Sequence, residues 1–145
     1  MTRFNIKIEI NCPIEQVYAA FVDWAHAPLW RRGITAVEFD GGVHGKLGSK
    51  RRFTCLKNGR EITFDETVFD MVVNEACYFR TDHERMYCLA NVLFRERDGG
   101  TRMTNSVHAY GRGMFWRLVV PFMKGNLRRR QQADFELFKA YLEKS

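Results

Sequence analysis

The chain has 145 residues, the size of one domain, and its 46% apolar and 14% aromatic content excludes intrinsic disorder. Lys and Arg outnumber Asp and Glu by 23 to 17, and a net charge of +6 selects no partner class by itself. A membrane span needs about 20 apolar residues; the best run, 114–123, is broken by Arg117 and Pro121. The N-terminus alternates at once and carries no signal-peptide apolar segment, so a soluble, cytoplasmic protein is expected. Cys12, Cys55, Cys77 and Cys88 lie 43, 22 and 11 residues apart, without the two-residue gap of a zinc knuckle or redox pair. They read as small hydrophobes in strands, and neither a metal nor a cofactor is expected.

In chain order, residues 4–10 place Phe4, Ile6, Ile8 and Ile10 on one face of a half-buried strand. Pro13 ends it and suits the first position of a helix capped by Cys12, with Ile14, Val17, Tyr18 and Phe21 at helical spacing. Asp23 would cap a second short helix over 24–30, closed by Gly33. Six strands follow, at 34–39, 47–56, 61–70, 76–81, 86–97 and 101–110. Asp40-Gly41-Gly42, Asn58-Gly59 and Asp98-Gly99-Gly100 mark strong turns between them, Asn74-Glu75 and Asp82-His83-Glu84 weaker ones. After Gly111 and Gly113 the pattern becomes helical to the C-terminus, with a kink or separate first turn expected near Pro121 and Gly125.

A strand, two short helices, a six-stranded meander and one long helix predict an α+β fold. In it a curved, seven-stranded antiparallel sheet and the last helix enclose a cavity. The stretch from Cys12-Pro13-Ile14-Glu15 through Val17-Tyr18 to Phe21, Trp30 at the end of the second helix, and Phe138-Lys139-Ala140-Tyr141-Leu142-Glu143 carry a family likeness. By these the whole chain resembles the START-like (SRPBCC), helix-grip superfamily, and within it the polyketide cyclase/dehydrase and lipid-transport group. The resemblance implies one ligand-binding domain over 1–145. It specifies a scaffold, and the chemistry must come from particular side chains.

Those side chains are few. No serine stands in a nucleophile elbow, no phosphate loop precedes a helix, and no two histidines share a zinc-binding helix face. His44 and His83 fall in turns. His108 shares a polar strand face with Thr104, Ser106 and Tyr110, which points it to solvent. His26, in the second short helix, is a candidate cap over a pocket mouth. Glu66 shares the inward face of its strand with Ile62, Phe64 and Val68. There it would act as a general acid or base with a raised pKa, or else pair with Arg51 or Arg80 of a neighbouring strand. Asn105, on the apolar face of the last strand, would hold a ligand carbonyl or bond the local backbone. Gln131 and Asp134 interrupt the apolar stripe between Leu127 and Phe138, and Gln131 is expected to line the pocket in part.

The leading expectation is a binding protein for a small hydrophobic molecule: a lipid, a polyketide-like compound or an aromatic. Trp24 and Trp30 would line the cavity from the short helices, and Phe53, Phe64, Phe79, Phe94 and Met103 from the sheet. From the C-terminal segment, Trp116, Val120, Met123, Leu127 and Gln131 would close it. An alternative is a cyclase-, dehydratase- or hydrolase-type enzyme using Glu66, Asn105 and His26. A third reading starts from charge: between Asp98 and Asp134 stand seven cations and no acid. Arg117, Lys124, Arg128, Arg129 and Arg130, interleaved with large apolar residues, suit an anionic membrane surface or a protein partner. The pI of about 9.4 comes with no nucleic-acid-binding motif, so nucleic acid is not an expected partner.

Overall fold

The computed structural model describes residues 2–31, 33–41 and 48–144, without the side chains of 40, 41 and 57. His44 and the end of the first expected turn lie outside the described residues. Strand β1 (Thr2–Ile10) is followed by helix α1 (Ile14–Phe21) and a 3-10 helix (Trp24–Leu29). Strands β2 (Ile34–Gly41), β3 (Lys50–Lys57), β4 (Arg60–Val72), β5 (Ala76–Asp82), β6 (Met86–Arg97) and β7 (Gly100–Gly111) come next. Helix α2 (Gly113–Val119), a 3-10 turn (Val120–Met123) and helix α3 (Lys124–Glu143) complete the chain.

All strands are antiparallel, in the order β1-β7-β6-β5-β4-β3-β2, so the first strand closes against the last and the meander runs outward from it. The turns form where the chain can take positive φ. Asn58 and Gly59 stand at 52° and 75°, Asp98 and Gly99 at 52° and 82°, which is the two-residue turn whose twist matches its strands. β1 alternates buried and exposed along its whole length. Its register on β7 puts Phe4 beside Val107, Ile6 beside Asn105 and Ile8 beside Met103, on the concave face. α3 lies along β1 and buries Phe135, Phe138 and Leu142. Arg128 Nε of α3 donates to the Asn5 carbonyl of β1 at 3.2 Å, and the Asn11 amide donates to Glu143 at 2.8 Å, fastening both ends of the grip.

Local details differ from the sequence reading. Pro13 itself is the N-cap of α1, one residue later than expected, and no side chain caps that helix. Asp23 does precede the second short helix, a 3-10 helix, but makes no capping bond; its carboxylate accepts from His26 Nδ1 at 2.5 Å. The C-terminal helix breaks at the 3-10 turn carrying Pro121, whereas Gly125 sits inside α3. Gly111 must be glycine: a Cβ there would run into the Trp116 carbonyl, because α2 folds back tightly over the end of β7.

Candidate functional site

The concave face carries a charged cluster within an aromatic shell. Pairing of β3 with β4 sets Arg51 opposite Glu66, and pairing of β4 with β5 sets Thr81 on the other side of Glu66. All three point inward by strand alternation. Arg51 Nη2 donates to Glu66 Oε1 at 2.6 Å. Arg31, from the segment after the 3-10 helix, donates through Nη2 to Oε2 at 3.2 Å and through Nη1 to Oε1 at 3.4 Å. The Thr81 hydroxyl donates to Oε2 at 3.1 Å. The guanidinium of Arg51 lies 3.7 Å from the centroid of the Trp24 ring, and that of Arg31 lies 4.6 Å from Phe53. Both gain from the negative ring faces in a site with little water.

Burial alone would raise the Glu66 pKa, but the charges and hydrogen bonds of Arg31 and Arg51 prevail and hold it below the carboxylate range. Glu66 is therefore an ionised counter-ion, and the raised pKa required of a neutral acid is not what its surroundings produce. Burial also lowers the pKa of Arg51, against the opposing pull of Glu66. Two guanidiniums against one carboxylate leave the cluster with an excess positive charge. Among the described residues, Arg51 Nε and Nη1 and Trp24 Nε1 are buried donors with no hydrogen-bond partner, and Tyr18 OH and Asn105 Oδ1 are likewise unpartnered. An unmet buried polar group costs about 1–3 kcal/mol, so these atoms are the unusual feature of the interior.

The expected lining residues fall into several groups. Trp24, Trp30, Phe79 and Phe94 surround Phe21, with Phe135 and Phe138 of α3 closing the cluster. Trp30 and Phe138 have centroids 4.7 Å apart. Met103 belongs to the same core, and Leu127 packs partly against it. Phe53 and Phe64 stack at 5.2 Å in a smaller cluster with Ala27, Ile34 and Cys55. Met123 and Gln131 are half-buried. Trp116 does not join the interior: it lies on α2 against Phe115, with Arg85 stacked 5.1 Å from its ring.

The three candidate catalytic residues do not converge. Glu66 leads through Thr81 and Cys88 to Ala109, so Asn105 is three strands away and four residues along β7. Across the sheet alone that is about 14 Å. His26 is 58% exposed on the surface of the 3-10 helix, paired with Asp23. Arg80, one of two expected partners of Glu66, faces the other way, pairing with Asp82 and stacking on Tyr87. Arg51 was legible, since it alternates with Phe53 and Cys55 on β3; Arg31 sits in an aperiodic segment that gives no such signal.

Two depressions open elsewhere. One of about 590 Å³ lies at the end of β7 under α2, walled by Thr2, Tyr87, Ala109, Arg112, Arg117 and Val120 among others. Asp82 accepts from Arg112 Nη2 at 2.6 Å at its rim. The other, about 230 Å³, is on the convex face among Phe69, Tyr78, Leu89, Asn91, Ser106 and His108. His108 thus lies outside the grip, as its strand face indicates.

The seven-stranded sheet wrapped on a C-terminal helix defines a helix-grip fold of the Bet v1-like, START-like kind. The chain belongs to the family described as polyketide cyclase / dehydrase and lipid transport, whose profile matches residues 1–143. No curated protein matches it. Among solved structures, Ara h 8.0201 superposes with a TM-score of 0.83 at 15% identity over 99% of both chains. The di-domain ARO/CYC StfQ from the steffimycin biosynthetic pathway gives 0.80 at 10% identity, over 98% of this chain and 50% of that one. The Mll3558 protein from Rhizobium loti gives 0.75 at 20% identity, over 96% and 95%. At these identities the likeness is one of fold.

Proposed function

We propose that the chain binds a small, mainly apolar molecule between the sheet and the C-terminal helix, its polar end held beside Arg51 and Trp24. The observation that carries this reading is the set of buried, unused donors on those two residues inside an aromatic shell. Indole and guanidinium N–H groups only donate. The polar end of the ligand is therefore a hydrogen-bond acceptor, a carbonyl, carboxylate or phenolate, and the positive excess at Arg31–Glu66–Arg51 favours the anionic forms. The aromatic faces of Phe53, Phe64 and Phe79 supply apolar contact next to that anchor. Family membership and the fold support binding as the common capacity, and the separation of Glu66, Asn105 and His26 gives no specific support to catalysis.

The test uses protein purified from its own host. Native mass spectrometry followed by denaturing extraction should release an apolar molecule with a carbonyl or acidic group. Independently, titration with the probe 8-anilinonaphthalene-1-sulfonate should quench Trp24, and the quenching should change little with salt, because contact buried in a cavity is weakly screened. An empty protein that also leaves the tryptophan emission unchanged would overturn the proposal.

A further inference from the structure

The segment linking β7 to α3 presents a second feature, independent of the interior. α2 contains no buried residue, and of the 3-10 turn after it only Val120 is buried. Met114 is 84% exposed, Phe115 65%, Leu118 72% and Phe122 89%. The spacing i, i+1, i+4 sets the first three on one helical stripe, and Phe122 falls one turn further along it. Together they hold on the order of 500 Å² of apolar surface toward water, about the largest patch a monomer ordinarily tolerates, and such patches mark interaction sites.

Charge identifies the occupant. From Gly99 to Ala133 the sequence has seven cations and no acid. Arg117 stands within α2, Lys124 directly follows the 3-10 turn, and Arg128, Arg129 and Arg130 follow on the first turns of α3, all exposed. A second copy docking through the same stripe would bring two such cationic segments together, which like-charge repulsion opposes. A negatively charged bilayer satisfies both halves of the pattern. Acyl chains receive Met114, Phe115, Leu118 and Phe122, and anionic head groups receive the cations. We propose that α2 and the following 3-10 turn dock this protein on anionic membrane surfaces, lying in the interface without crossing it. The depression walled by Gly113, Arg117, Val120 and Pro121 then opens beside the bilayer.

The experiment is sedimentation of the full chain with vesicles of phosphatidylglycerol mixed with phosphatidylcholine, and with pure phosphatidylcholine vesicles. Binding is expected to the first and not to the second. It should fall at least about tenfold when salt rises from about 0.1 to about 1 M, as the Debye length shrinks from about 10 to about 3 Å. The Phe115→Ser/Phe122→Ser variant should lose binding. The Arg128→Gln/Arg129→Gln/Arg130→Gln variant should lose it by about tenfold or more. The phenylalanine variant should melt like the parent, since its replaced side chains are exposed, whereas the arginine variant also loses the Arg128 bond to the Asn5 carbonyl and should melt slightly lower. Emission from Trp116, which adjoins Phe115, should shift to the blue on binding. A chain that stays in the supernatant with anionic vesicles overturns the proposal, and so does binding that ignores salt and head-group charge. Light scattering that shows a dimer abolished by Phe115→Ser/Phe122→Ser would overturn it as well, by giving the stripe to a second copy.

Discussion

Replacing Glu66 by Gln is the most direct probe of the buried cluster. Gln keeps the shape of the side chain and one acceptor oxygen but removes the only negative charge that, among the described residues, pairs with Arg51, whose own exposure is 0%. Breaking a buried ion pair from one side costs about 3–5 kcal/mol, because the remaining charge has neither water nor counter-ion. At roughly 0.3 kcal/mol/K of unfolding entropy for a chain this long, that is a fall in Tm of about 10–17 °C. Arg31, partly exposed, retains solvent contact and adds little to the penalty. Arg51→Met/Glu66→Leu, which removes both charges, should recover most of the loss, since apolar replacement of a whole buried pair is often neutral or better. Acid dependence gives a second reading. The folded-state pKa of Glu66 lies below its ordinary 4.5, so the pair's contribution is fully present above that value. It is lost as pH falls through the lower folded value, and the gap between parent and Glu66→Gln should narrow over that window. Urea or thermal denaturation between pH 3 and 7, on the order of one point per half unit, measures both effects. A Glu66→Gln penalty under about 1 kcal/mol, or a double variant no better than the single one, would refute the argument that the cluster is dry and mutually dependent.

Other expectations follow from the same packing. Phe138→Ala removes a fully buried ring that meets Phe21 and Trp30, and should cost about 3–5 kcal/mol in chemical denaturation. Burial pushes the thiol of Cys77 up to about 12 and that of Cys88 up to about 11, so neither should react with iodoacetamide at pH 8 until the protein is unfolded. Rapid native labelling at either position, read by peptide mass spectrometry, would contradict the burial described. Amides of β6 and β7, interior strands that pack in the large core cluster, should exchange with deuterium more slowly than those of β2, which is a sheet edge and packs in the smaller one. Equal protection across the sheet would count against that division.

Where one physical rule dominates, the sequence discloses the structure. β1 was legible because its alternation is unbroken, and the β3–β4 and β6–β7 turns because Asn-Gly and Asp-Gly adopt positive φ at little cost. Glu66 was readable as inward-facing from the parity of β4. Beyond Val68 that parity fails: the register against β5 shifts between Val68 and Asp70, so the next inward partner of β5 is Met71, opposite Cys77. A bulge of this kind is set by the neighbouring strand and leaves no periodic trace. The break at Pro121 was readable because proline cannot continue a helix, whereas the exposure of Met114 and Phe115 was not. Apolar residues at helical spacing look alike whether they face a core or a membrane. For the same reason Trp116 reads as a cavity residue, whereas it is half-buried on α2 between Phe115 and Arg85.

The interior is unequal from end to end. The large core cluster joins β1, β4, β5, β6 and β7 to α1, α3 and the first 3-10 helix with Trp30 after it, and its rings are closely packed. Toward β2 and β3 the apolar packing thins to Ala27, Ile34, Phe53 and Cys55, with Val37 and Phe64 partly buried beside them. That thinner end adjoins Arg31, whose guanidinium lies over Phe53, and through Glu66 the charged cluster with its unmet donors. The apolar packing is thus densest where α3 grips β1, while unmet polar atoms occur in both regions, on Arg51 and Trp24 and also on Tyr18 and Asn105. A local opening of the second region needs to disrupt only the few contacts made there, while the first stays folded. By this division, disturbing the smaller cluster should leave the grip of the C-terminal helix on β1 intact.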